Sequence, residues 1–335
     1  MWLFSAGTLF GAVEPSRELV LCNWNLENLF DTEDDPANKG DDGFTPRGWM
    51  RWTNNRYRLK LQHLSDIIAQ MRPDILCVEE VENRRVLEDL VKTLQERCGY
   101  ELPEIIHRDS GDKRGIDVAI LSKTAPVHVE WVTPYQEMRD TVVATFSFGG
   151  RQLHVLANHW KSKLGKQNES EALRRVCAKA VRDKVDAILK KTPDAAILVT
   201  GDFNDEASAP PLCEIGLFKT NLAEVVADRT QRYLYNLTGE LSPNEKGTYY
   251  YATGRTWNLI DAMIVTRGMW GDLQPQTPWQ VQKGSYRIFK TPAQCTKLGT
   301  PFPFRRVRKK GIGDSYMTGY SDHFPIRVVL IPRDD

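Results

Sequence analysis

Cysteine is scarce in this chain and poorly placed for the usual uses of sulfur. Six cysteines are spread over 335 residues without a CxxC pair or zinc-ligand spacing, which argues against zinc-ribbon and thioredoxin-type chemistry. Cys22 and Cys77 lie in apolar, strand-like runs and read as core thiols. The even count permits disulfides without arguing for them. Charge of one sign is lacking too. The formal net charge is +1, so nothing draws in a polyanion globally, and a nucleic-acid partner would need a local basic patch. No apolar run is long enough to cross a bilayer, and there are no low-complexity blocks, short repeats or linker-like stretches. What is present fits a soluble globular protein, 41% hydrophobic and long enough for a sizeable core.

Residues 2–13 are apolar and have roughly the length of a signal-peptide core, although no positive region precedes them and the cleavage site is poor. We read residues 1–18 as the remnant of a signal peptide, which would make the protein exported, periplasmic or extracellular. Residues 19–335 read as a single domain, expected to be monomeric and without stable membrane insertion.

Hydrophobic periodicity then gives the elements. Apolar runs at 19–25, 74–81 and 195–200 read as buried strands, and 116–121, 141–148 and 152–158 as further strands, with Gly149-Gly150 as a hairpin turn between the last two. Residues Tyr57, Leu61, Leu64, Ile67, Ile68 and Met71 recur at helical spacing up to Pro73, and helical faces also run through 84–97 and 169–190. Late strands are expected at 259–265 and 326–331, separated by an irregular, aromatic-rich stretch over 270–320 that carries the basic run 305–310. Strands flanked by helices in both halves suggest two sheets packed face to face with helices outside. Residues 31–42, with six acids, do not match an EF-hand loop and read as a solvated loop. Arg47, Trp49, Arg51 and Trp52 interleave arginine with tryptophan, a pattern that packs a core edge or stacks on bases.

The functional signal is positional. Asn25 and Glu80 end strands, His159 follows one, Asp202 and Asn204 leave the strand through Gly201, Asp261 lies in an apolar strand, and Asp322-His323 precede the last strand. An acid such as Asp261 is costly among apolar neighbours unless paired, and His323 is the natural partner. Asn25, Glu80 and Asp322 offer the oxygen ligands a hard divalent ion prefers. Alone, each of these residues is ordinary; seven at strand ends is not.

The motifs stand as Asn23-Trp24-Asn25, Cys77-Val78-Glu79-Glu80-Val81, Asn158-His159-Trp160, Gly201-Asp202-Phe203-Asn204, Ile260-Asp261 and Ser321-Asp322-His323-Phe324-Pro325. In this order and over residues 19–331 the chain resembles the endonuclease/exonuclease/phosphatase superfamily, also called deoxyribonuclease-I-like, in its bacterial form. The resemblance implies an α/β (α+β) fold, a four-layer α/β sandwich of two mostly antiparallel sheets flanked by helices. It implies a hydrolase that cleaves phosphate esters by in-line attack of water, dependent on Mg²⁺, with Mn²⁺ or Ca²⁺ as alternatives. Carried over, Glu80 is the main metal ligand, with Asn25 helping and Asp322 nearby. Asp202 and Asn204 handle the attacking water, Asp261 orients His323, and His159 donates to the phosphate or leaving group. Arg139 would hold a phosphate oxygen and Lys161 could add a contact. The general base stays open between Asp202 and the Asp261/His323 pair. The expected substrate is DNA or RNA cleaved as a phosphodiester; the alternative is a phosphatase or a lipid or inositol-phosphate phosphodiesterase acting on a small phosphate ester. A catalytically inactive binding module is the remaining reading.

Overall fold

Period-two alternation in the first strand decides how the layers stack. Leu19 and Leu21 point to one side and Cys22 and Trp24 to the other, and every one of them is buried, so the strand needs cover on both faces. The computed structural model describes residues 18–163, 167–209, 218–228, 230, 232–271, 273, 276–309 and 313–333. The N-terminal apolar segment up to residue 17 lies outside the described residues.

In chain order the elements are β1 (Leu19–Leu29), α1 (Asn54–Met71), β2 (Ile75–Val81), α2 (Arg84–Cys98), β3 (Glu104–Ile106), β4 (Asp117–Ser122), β5 (His128–Val132), β6 (Thr141–Phe148) and β7 (Arg151–His159). They continue with α3 (Gln167–Lys191), β8 (Ile197–Asp202), β9 (Phe218–Lys219), α4 (Leu222–Ala227), β10 (Leu234–Asn236), β11 (Tyr249–Tyr251), β12 (Thr256–Asn258) and β13 (Asp261–Val265). The last are β14 (Trp279–Val281), β15 (Arg287–Ile288), β16 (Phe304–Lys309), β17 (Gly313–Thr318) and β18 (Ile326–Pro332). Local chemistry sets the helix ends. Thr53 and Asn83 cap α1 and α2 by accepting from Arg56 N and Val86 N, and α2 stops at Gly99 in the left-handed region.

One seven-stranded sheet runs β14-β18-β1-β2-β4-β3 with β15 also on β18, and the other runs β5-β6-β7-β8-β13-β10-β9. Pairing is antiparallel except at β1–β2, β7–β8 and β9–β10. The first two of these parallel pairs are the ones joined by α1 and α3, because parallel neighbours need a crossover. Leu21, Cys77 and Ile120 of the first sheet meet Val155, Leu198 and Met263 of the second in the central core. On the outside, α1 and α2 cover Cys22, Trp24 and Leu76, while α3 covers Ile197 and Val199 through Val181 and Val185. The result is the four-layer sandwich.

The stretch over 270–320 is less irregular than its composition suggests. It contributes β14 and β15 to the first sheet and forms the separate β16–β17 hairpin. The basic run lies on β16, with Lys310 outside the described residues. Cys22, Cys77, Cys98, Cys177 and Cys295 are free thiols. Among the described residues no helix is long and apolar enough to cross a membrane.

Candidate active site

Asp202 ends β8, and its two neighbouring strands bring the site together. The parallel register sets His159 of β7 opposite Asp202, and the antiparallel register sets Asp261 of β13 opposite it on the other side. Gly201 makes this possible in an unexpected way. The chain does not turn there; Gly201 is still in the strand, at φ +148°, where a Cβ would lie 1.9 Å from the Asn158 carbonyl oxygen. The missing side chain lets β7 and β8 close tightly just before the two catalytic-type residues emerge.

The first sheet supplies the remainder. Ser321 donates to the Asn25 carbonyl (2.6 Å), His323 N donates to Ser321 Oγ (3.1 Å), and the Trp24 indole donates to the His323 carbonyl (3.0 Å). These bonds fasten the loop before β18 to β1. His323 Nδ1 then meets Asp261 Oδ2 at 2.8 Å, while its Nε2 lies 3.8 Å from Asp202 Oδ2. His159 Nε2 stands 3.7 Å from the same oxygen, and Asn25 Nδ2 donates to it at 3.1 Å. One carboxylate oxygen is thus faced by an amide and two imidazoles.

All four charged-type groups are buried, and burial dominates their electrostatics. It pushes the Asp202 carboxyl up to about 7, with His323 pulling the other way and Asp261 adding to the rise. For His323, burial opposes the charged form, but Asp261 and Asp202 beside it outweigh burial and hold the imidazole well above its ordinary range. Burial, then the Arg139 and Arg114 charges, keep His159 well below that range. The site therefore holds one cationic and one neutral histidine around an aspartate poised near neutrality.

The proposed cation ligands sit at two irregularities in adjacent strands. The β1–β2 register shifts between Asn25 and Leu29, with Glu27 at φ +54° and Asn28 at +56°. On its other side, β2 shifts between Glu79 and Val81, with Glu80 at φ +61°. Such bulges re-aim side chains, and non-glycine residues in the left-handed region cost of order 1–3 kcal/mol each, a strain typical of functional sites. Glu80 Oε2 accepts from Asn28 N (2.9 Å), and its other oxygen lies 3.8 Å from Arg114 Nη1. Asn25 Oδ1 accepts from Glu27 N (3.0 Å), and Asp322 Oδ2 accepts from Arg305 Nη2 (2.6 Å). With Glu80, Asn25 and Asp322 the donor set is all oxygen and part carboxylate, which fits a hard divalent ion. Asp202, Asp261 and His323 form another group whose ligand atoms all lie within 4.8 Å of one another.

Three expected site residues are engaged differently from their reading in the sequence. Asn204 does not extend the strand. Its backbone is left-handed at φ +52°, its N–H donates to Asp202 Oδ1 (2.8 Å), and its amide donates to the Trp160 carbonyl (3.1 Å). Arg139 is buried, donating to the carbonyls of His159 (3.0 Å) and Trp160 (3.1 Å) and to Asp112 (2.8 Å). Its guanidinium thus braces the end of β7, with protein acceptors on all three nitrogens. Lys161 is half-buried next to that strand end, close enough to depress the His159 basicity.

Other residues stand at the site beside those named above. Glu79, adjacent to Glu80 and fully buried, has neither carboxylate oxygen in hydrogen-bonding geometry; burial, Asp261 and Asp202 hold it well above the carboxylate range. The Tyr249 ring lies 4.9 Å from that of His323 and its backbone bridges to it. Arg305 ties the β16–β17 hairpin to the site through Asp322 and Glu27, and Lys60 donates to the Glu27 carbonyl (2.6 Å). Asp205 is buried between Arg174 (2.9 Å) and Lys163 (2.7 Å) and anchors the loop to α3. Phe203 packs edge-on against Trp160 at 4.9 Å.

Comparison with known proteins bears on the fold and the family. The sequence pattern of the Endonuclease/Exonuclease/phosphatase family matches residues 20–331. No curated protein sequence matches the chain. Among solved structures, TDP2 from D. rerio complexed with a single-strand DNA product is 16% identical, with 94% of this chain and 99% of the other covered and a TM-score of 0.54. TDP2 from C. elegans is also 16% identical, covering 94% of this chain and 75% of the other, with a TM-score of 0.54. The mannosyl-6-phosphatase Bt3783 of Bacteroides thetaiotaomicron is 16% identical, with 93% and 99% covered and a TM-score of 0.51. At these identities the likeness speaks for the fold, while the family match spans nearly the whole chain and every strand end of the site. The chain belongs to the endonuclease/exonuclease/phosphatase family and is an enzyme that hydrolyses phosphate esters.

Proposed function

We propose that the enzyme is a Mg²⁺-dependent phosphodiesterase that cleaves DNA or RNA by in-line attack of water. The observation that carries this reading is the Asp202 oxygen faced by His159 and His323, with Asp261 behind His323. Held in its cationic form by Asp261 and Asp202, the His323 imidazole has no free lone pair for a further proton, so Asp202 is the acceptor for the proton of the attacking water. Asn204 fixes Asp202 through its backbone N–H. The His323 imidazolium neutralises charge building on the phosphoryl oxygens, and His159 donates to the phosphate or the leaving oxygen. Positioned acid–base groups of this kind are worth about 10²–10⁴-fold each. Arg139 acts through His159, holding the strand end that carries it, and Lys161 adds positive charge at the rim. Glu80, Asn25 and Asp322 would hold the divalent ion, which when bound supplies Lewis-acid neutralisation of the phosphate.

A nucleic-acid substrate is supported by the surface beside the site. Arg308 is exposed on β16, and Arg306, itself paired with Asp314, lies over the exposed Trp49 ring at 5.1 Å, an arrangement suited to phosphates and bases. The D. rerio relative of the same fold carries a single-strand DNA product. The test is incubation of purified protein with plasmid, single-stranded DNA and RNA, in Mg²⁺ and then in EDTA, beside a panel of small phosphate monoesters. Metal-dependent cleavage of a polynucleotide is the expected result. Turnover of monoesters alone would replace this reading with a phosphatase, and no turnover of either would remove it.

A further inference from the structure

Residues 31–42 form an acidic loop that the proposed chemistry does not use. It is built around a buried carboxylate. Asp41 is 1% exposed; its Oδ2 accepts from Asp35 N at 2.8 Å, while Oδ1 is buried without any hydrogen-bond partner. The neighbouring acids are served differently: Asp31 accepts from Glu33 N (2.7 Å) and Asn83 (3.3 Å), and Asp35 accepts from Ala37 N (2.9 Å). Ligand oxygens of Asp34, Asp41 and Asp42 lie within 4.8 Å of one another, with Asp34 and Asp42 reaching in from the exposed side. Three carboxylates this close repel unless something positive joins them, and a buried carboxylate oxygen without a partner, as Asp41 Oδ1 is, is expensive. Glu33 occupies the nearby Arg85 at 2.7 Å.

We propose that Asp34, Asp41 and Asp42 bind a structural Ca²⁺ ion, separate from the catalytic metal. The ligands are all carboxylate oxygens on an irregular loop with open sides for water, which suits the larger, more adaptable Ca²⁺ better than strictly octahedral Mg²⁺. The loop has a route to the active site. Gly40 packs so tightly on the 114–115 loop that a Cβ there would lie 2.0 Å from the Arg114 carbonyl oxygen, and Arg114 donates to Asn28 Oδ1 (2.7 Å) beside Glu80. A cation that sets the acidic loop therefore also sets Arg114 next to the principal catalytic-metal ligand.

The experiment uses the full chain carrying Glu80→Gln, which weakens the catalytic-metal site. After EDTA treatment and dialysis it is titrated calorimetrically with CaCl₂ and melted with and without 1 mM CaCl₂ (a concentration chosen to be roughly saturating for a structural site). The expected result is one equivalent of bound Ca²⁺ and a rise in Tm of roughly 2–4 °C. Adding Asp41→Asn abolishes both, and so does adding Asp34→Asn with Asp42→Asn, whose exposed positions keep the fold out of question. Absence of Ca²⁺ binding in the Glu80→Gln protein, or binding unchanged by the exposed pair of substitutions, would overturn the assignment.

Discussion

Replacing Asp261 with asparagine separates what the buried acids do for catalysis from what they do for stability. The substitution keeps the shape of the side chain but removes the charge that His323 Nδ1 faces at 2.8 Å. At an effective dielectric of about 20, unit charges about 4 Å apart interact by about 4 kcal/mol, an upper figure for what the imidazolium loses. If that support is felt fully in the transition state, the rate falls by about 10³-fold, within the range of about 10²–10⁴ for a positioned acid–base group. Stability should fall as well, because the buried His323 imidazolium loses the carboxylate it faces, a loss only partly offset by relief of the repulsion among Asp261, Asp202 and Glu79. The assay is kcat and KM on an established substrate, together with a thermal melt. The expected result is a large fall in kcat with KM nearly unchanged and a lower Tm. Activity within threefold of the native enzyme would refute the assignment of Asp261 and His323 as a working pair.

Three further substitutions test the frame of the site. Glu79→Gln, which keeps the shape of a fully buried carboxyl that burial, Asp261 and Asp202 hold well above the carboxylate range, should leave Tm equal or higher and activity within a few-fold, read by melting and steady-state rates. Asp205→Ala leaves the buried Arg174 without its carboxylate and should destabilise by about 3–5 kcal/mol in denaturant titration, the usual consequence of breaking a buried pair. Gly201→Ala should destabilise by more than the roughly 1–3 kcal/mol of a strained backbone, because its Cβ would collide with the Asn158 carbonyl; a folded variant with native Tm would contradict the close β7–β8 approach.

The layers and most strand ends were legible because they rest on local periodicity. The faces of 57–71 and 84–97 became α1 and α2 nearly residue for residue, and the Gly149-Gly150 turn became the β6–β7 hairpin. The site residues were legible as motifs because each sits beside a strand end, and strand ends show in sequence. What sequence did not reveal depends on partners far along the chain. Arg305 meets Asp322 17 residues on but Phe304 N meets Glu27 277 residues away, and Asp205 becomes a buried anchor through Arg174, 31 residues earlier. Backbone irregularity was equally hidden. Nothing in the composition of 25–29 or 79–81 announces a bulge, so Glu80 read as a plain strand terminus, whereas its left-handed backbone is what re-aims it. Asn204 shows the same limit: the motif sets it two residues after Asp202 with a share in handling the water, but a turn closed by the Asp202 carboxylate sends its amide to the Trp160 carbonyl.

The most direct test of the account is the single-turnover cleavage of end-labelled single-stranded DNA in Mg²⁺ by the native enzyme and by Asp202→Asn. The account predicts complete loss of cleavage in EDTA and at least a 10³-fold slower reaction in the variant, with an unchanged circular-dichroism spectrum. Cleavage that persists in EDTA, or a variant within tenfold of native, would contradict it.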